Sequence, residues 1–157
     1  MKLATIKNNT RDGQLVVVNK TMTKAISVSH IASTMQDAMD RWAEVEPQLQ
    51  DVSRKINANE MSDAFDFDVT QAMAPIPRAY HWADGSAYVT HVELVRKARN
   101  AELPETFWTD PLMYMGASDA FIGATQDIEI ENDEWGIDFE SEVAVFTDDV
   151  PAGVSAE

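Results

Sequence analysis

Every Lys and Arg of this 157-residue chain lies in its first 99 residues. Those 99 residues carry 12 cations and 12 of the 27 Asp and Glu, so they are electrically balanced; residues 100–157 carry the other 15 acids and no Lys or Arg. An acidic segment of that kind has no cation of its own to offset repulsion among its carboxylates. It must be solvated, gathered around a bound cation, or set against a basic surface. The net charge of −15 also weighs against a nucleic-acid partner, because phosphate binding needs clustered cations. No apolar run approaches the roughly 18 residues of a membrane span. The N-terminus, Met1-Lys-Leu-Ala-Thr-Ile-Lys-Asn8, turns polar too early for a signal peptide. With no cysteine, disulfides, thiolate zinc sites and a cysteine nucleophile are excluded. The expected setting is cytoplasmic, with no membrane and no nucleic acid. A hydrophobic content of 45% is enough to bury a core.

The first 30 residues read as strands. Leu3–Ile6 and Leu15–Val18 flank the turn-rich cluster Asn8–Gly13, which predicts a hairpin, and Ala25–Ser29 predicts a third short strand. Ser33 or Thr34 can cap a following helix, with Gln36 or Asp37 three residues on. Met35, Met39 and Trp42 give that helix an apolar stripe. Pro47 is expected to interrupt it, after which Leu49, Val52 and Ile56 continue a second amphipathic stretch. Residues 57–77, rich in Asn, Asp and Pro, predict a loop. The expected domains are 1–75, a small α+β unit, and 76–157. In the second, Asp84-Gly85-Ser86 is expected to cap a helix running to about Arg99. Ile128–Glu131 and Ile137–Phe146 alternate with period two and are expected to form strands.

The last of these carries the clearest candidate chemistry. Period two puts Asp138, Glu140 and Glu142 on one face, with same-face neighbours about 6.6 Å apart. Three carboxylates in a row suit either a hard cation with oxygen ligands or a solvated edge strand whose charges discourage unwanted pairing. Asp84 and His91 are seven residues apart. If one helix holds both, they fall about two turns apart on one side, as a ligand and a general base would, or as a helix cap and an ordinary half-buried histidine. His30 and His81 have no matching partner and read as structural. No G-x-S-x-G, phosphate loop or dinucleotide fingerprint occurs.

Four segments, in order, give the chain a resemblance to the fumarylacetoacetate hydrolase family. Asp84-Gly-Ser-Ala-Tyr-Val-Thr-His91 resembles the family's D-x6-H segment. Arg96 through Pro104 is similar to an Arg-containing stretch ending in Leu-Pro. Pro111-Leu-Met-Tyr114-Met-Gly-Ala-Ser118 resembles the P-x-x-Y-x-G-x-S substrate loop. Asp138-Phe-Glu140-Ser-Glu142 is similar to the strand bearing an E-x-E metal pair. The resemblance implies metal ligands at Asp84, Glu140 and Glu142, a catalytic base at His91, and substrate contacts at Arg96 and Tyr114. It implies a divalent cation, Mg2+ or alternatively Mn2+ or Ca2+. The activity implied is hydrolysis of a carbon–carbon bond in a fumarylacetoacetate- or acylpyruvate-like 1,3-diketo acid.

Relatives that decarboxylate or isomerise use the same metal-enolate chemistry, so those reactions stay open, as does a non-catalytic remnant or binding subunit that needs a partner chain. The family's fourth carboxylate ligand sits in an N-D-x-S-x-R segment downstream of the Glu pair, and the chain reaches Glu157 before it. The expectation is therefore an α+β protein: a β-hairpin and helix domain followed by the opening strands and helix of a mixed β-sheet roll, truncated at residue 157. Such a chain is expected to be inactive alone and a homodimer when full-length.

Overall fold

A computed structural model describes residues 1–137 and 139–155. The protein is mixed α+β: its described residues form a four-stranded antiparallel sheet, three helices and a second, two-stranded sheet. Two compact units share the chain: one is Met1–Pro77 with the chain from Phe121 onward, the other Arg78–Ala120.

In the first unit the sheet runs in sequence order: β1 (Lys2–Ile6), β2 (Gln14–Val18), β3 (Lys24–Ser27) and β4 (Phe65–Asp66). The hairpin register pairs Lys2 with Val18 and Ile6 with Gln14. Its loop closes on Gly13, at φ +64, where a Cβ would come within 2.6 Å of Thr5 Cγ2 and 2.7 Å of the Ile6 carbonyl. Only glycine fits that turn. The next turn is held by Asn19, whose Oδ1 accepts from the backbone of Thr23 and Lys24. All four residues Leu15–Val18 are buried, as expected of a central strand covered on both faces. Val16, Val18 and Ala25 form one cluster with Ala4, Ile6 and Phe67.

Helix α1 (Met35–Asp40) starts at Thr34, whose hydroxyl accepts from the Asp37 backbone N–H. Helix α2 (Trp42–Asn57) packs on β2 and β3 and buries Val45, Leu49, Val52 and Ile56, one residue per turn. Pro47 does not break it, contrary to the sequence expectation. The helix is already interrupted at Arg41, and Pro47 lies exposed, away from the buried stripe. The expected loop over 57–77 is more ordered than its composition suggests. It supplies β4, which pairs with β3, and a stretch that covers the outer edge of β1: the Lys7 N–H donates to the Gln71 carbonyl and the Met73 N–H to the Thr5 carbonyl.

In the second unit, β5 (Ala83–Ser86) pairs antiparallel with β6 (Leu112–Met115), and α3 spans Val89–Ala98. This corrects the expectation that Asp84 caps the helix. Asp84 lies within β5, and the helix begins after Tyr88 with no side-chain cap. Cap chemistry is local, and the ladder to residues 112–115 overrides it.

The expected strands over 128–131 and 137–146 are a second correction. Their described residues are irregular, with only a single 3-10 turn nearby at Asp133–Trp135. Alternation makes a strand only where another strand supplies the hydrogen bonds, and among the described residues none pairs there. Phe139 is 90% exposed and Val143 86%. Asp138, the first acid of that row, lies outside the described residues.

Candidate functional site

Two of the residues singled out by sequence, thirty positions apart, are brought face to face by the β5–β6 pair. Asp84 stands directly opposite Tyr114 in the register. Directly paired residues project to the same side of a two-stranded sheet with Cβ atoms about 4.5–5.5 Å apart, so carboxylate and phenol share one face. Asp84 is half-buried and Tyr114 exposed. Trp82 extends this face: its carbonyl accepts from the Gly116 N–H at 3.0 Å, and its ring lies 6.0 Å from that of Tyr114, tilted by 58°.

Helix α3 gathers the second group. His91, Val92, Val95, Arg96 and Arg99 recur at helical spacing along one side. With Ser86, Ala101 and Leu112 they line a cleft of about 250 Å3. His91 and Arg96 therefore share one small cleft. Val92 is buried beneath it, which anchors that side of the helix. Arg96 lies in the last turn, where the helix dipole favours a cation. The cleft suits a small anion: two arginines, a histidine and a serine are among the residues that line it. From sequence, Ser86 is expected only as part of a helix cap and Arg99 only as the end of that helix. Reading 83–86 as a strand would have put Trp82, Asp84 and Ser86 on one face by period two.

Glu140 and Glu142 are exposed on irregular backbone of the other unit. Among the described residues, no group of three or more His, Asp or Glu side chains comes together closely enough to hold a metal ion. The donor chemistry of Asp84, Glu140 and Glu142 suits a hard cation; the described residues do not assemble a centre for one. His30 and His81 are exposed, and His30 lines a separate cleft with Asp51 and Lys55 between β3 and α2.

Residues 1–78 match the family model described as fumarylacetoacetase N-terminal domain 2. Residues 80–157 match the one described as fumarylacetoacetate (FAA) hydrolase C-terminal. No individual curated protein matches the chain.

Proposed function

Because the chain belongs to the fumarylacetoacetate hydrolase family, a family of hydrolases and lyases, we propose that it carries part of the machinery for hydrolysing a carbon–carbon bond in a small 1,3-diketo acid. The observation that supports this most is the cleft shared by His91 and Arg96. It combines a group able to move a proton with a group able to hold a carboxylate.

In this reading Arg96 binds the acid's carboxylate with its planar fork of donors, and Tyr114 contacts the substrate from β6. His91 takes a proton from water, and the hydroxide forms a bond to a carbonyl carbon. The adjacent carbon–carbon bond then breaks. Its electron pair stays on the departing fragment as an enolate, which recovers the proton from the imidazolium. Asp84, Glu140 and Glu142 are the proposed ligands of a divalent cation, Mg2+ or alternatively Mn2+ or Ca2+. Such an ion supplies Lewis-acid polarisation of the carbonyl when bound. Decarboxylation or isomerisation would use the same residues to stabilise the same enolate.

A second reading of residues 1–157 by themselves is a binding subunit that needs a partner chain: Glu140 and Glu142 stand exposed on irregular backbone, while His91 and Arg96 line a cleft without them. Calorimetry with acetylpyruvate in the presence of Mg2+ or Mn2+, alongside the decay of its diketone absorbance, tests both. The expected result is binding that Arg96→Ala weakens about tenfold, the scale of a charge-assisted hydrogen bond, with no decay. Decay would keep the chemistry and remove the binding-subunit reading. No binding with either ion would remove the diketo-acid assignment. In any form of the enzyme that turns over, His91→Ala should cut the rate by about 10²–10⁴-fold.

A further inference from the structure

Trp82 belongs to none of the four segments that carry the family resemblance, yet its side chain is tied to the Tyr114–Ser118 loop at three points. The indole Nε1–H donates to the Ala117 carbonyl at 3.1 Å. The ring lies against the Tyr114 ring at 6.0 Å, within the range in which tilted aromatic pairs attract. It also fills the space over Gly116: a Cβ on that residue would overlap Cε2, Cδ2 and Cζ2 of the indole. Backbone pairing adds a fourth tie, the Gly116 N–H to the Trp82 carbonyl. Tyr114 is itself 61% exposed. A two-stranded sheet is marginal alone, so a side chain that clamps the ring and the following backbone has something to hold.

We propose that Trp82 is a positioning residue for substrate recognition, fixing the Tyr114 ring and the Met115–Ser118 backbone in one conformation before the acid binds. The role of Tyr114 in binding rests on the function proposed above; the clamp does not. The glycine at 116 follows from it, because any side chain there must displace the indole. Trp82 touches no reacting atom in this account. Its effect on the acid passes through Tyr114.

The test has two arms on the full chain. In the first, the indole N–H resonance of Trp82, identified by its loss in Trp82→Phe, should exchange with solvent at least tenfold more slowly than those of Trp108 and Trp135, which are 67% and 70% exposed. Gly116→Ala should shift that resonance, speed its exchange and move the Tyr114 ring signals. In the second, acetylpyruvate affinity should fall about five- to tenfold in Trp82→Ala and about twofold in Trp82→Phe, which keeps a ring and loses the donor. The loss in Trp82→Ala should vanish when Tyr114 is already Ala. Fast exchange at Trp82, or Tyr114 signals unmoved by Gly116→Ala, overturns the clamp. An affinity loss that adds in full to that of Tyr114→Ala overturns the positioning role. If Trp82→Ala does not fold, Trp82→Phe and Gly116→Ala decide the question. Should the wild type not bind acetylpyruvate, the proposed function falls while the resonance arm still judges the clamp.

Discussion

Asp37 holds the entrance to α1 from both sides. Its Oδ2 accepts from the Ser33 N–H at 2.8 Å and its Oδ1 from Arg41 Nε at 2.8 Å, and Arg41 in turn donates to the Ile31 carbonyl. The Arg41 hydrogen bond, then that from Ser33, pulls the Asp37 carboxyl below its ordinary 3.8. A carboxyl that is more acidic when folded stabilises the folded state in its charged form. That contribution is complete above pH 3.8 and is lost as the pH falls through the lower folded value. Asp37→Asn should therefore cost on the order of 1 kcal/mol at neutral pH, the scale of a lost capping interaction. The gap in melting temperature from wild type should close on acidification. A gap equally wide at pH 7 and pH 3 would mean that charge has no part in it. The Thr34-x-x-Asp37 spacing made this capping residue legible in the sequence; the contribution of Arg41 was not, because it depends on the chain breaking at that residue.

Among the elements, α2 covers β2 and β3 of the larger sheet, and its sequence sends two conflicting signals. The stripe of Val45, Leu49, Val52 and Ile56 calls for a continuous helix, while Pro47 removes a backbone donor and crowds the preceding turn. The stripe prevails because four side chains are buried on β2 and β3. Leu49, fully buried, should cost about 2–5 kcal/mol when cut to Ala. Pro47→Ala should raise stability by about 1–3 kcal/mol, since proline inside a helix is disfavoured by up to about 3. Urea unfolding curves measure both, and a loss from Pro47→Ala would show that the proline carries no cost in this helix. The segment at Asp84 carried a similar conflict with the opposite outcome. Asp-Gly-Ser reads as a cap, but pairing with Leu112–Met115 draws it into a strand, and helix α3 starts without a side-chain cap.

For the molecule as a whole, order follows charge balance along the chain. The neutral first 99 residues contain all four strands of the larger sheet, β5 and the three helices of the described residues. The acidic remainder holds β6 and two short 3-10 turns, with Phe139, Val143 and Val145 all at least 79% exposed. Hydrogen exchange should reflect this: amides of β2 should be protected for hours, and those of residues 139–150 should exchange within seconds. Protection over 139–146 equal to that of β2 would reveal strand pairing with another chain.

Local chemistry carried far in this sequence. The first three strands, the Thr34 cap, the amphipathic stripe of α2 and the α+β class were all legible, because each depends on periodicity or on a turn within a few residues. The resemblance to the family was legible too, because its segments are short and keep their order. Three things waited for tertiary structure: the edge cover of β1 by residues 71–73, the pairing of Asp84 with Tyr114, and the clamp of Trp82 on Gly116. Each joins groups 30 or more residues apart through backbone hydrogen bonds or steric contact, and no local pattern encodes which distant segment will supply the partner. The alternation from Ile137 to Phe146 shows the same limit in reverse: a strand pattern specifies which face a side chain would take, while the strand itself exists only where a neighbour completes its hydrogen bonds.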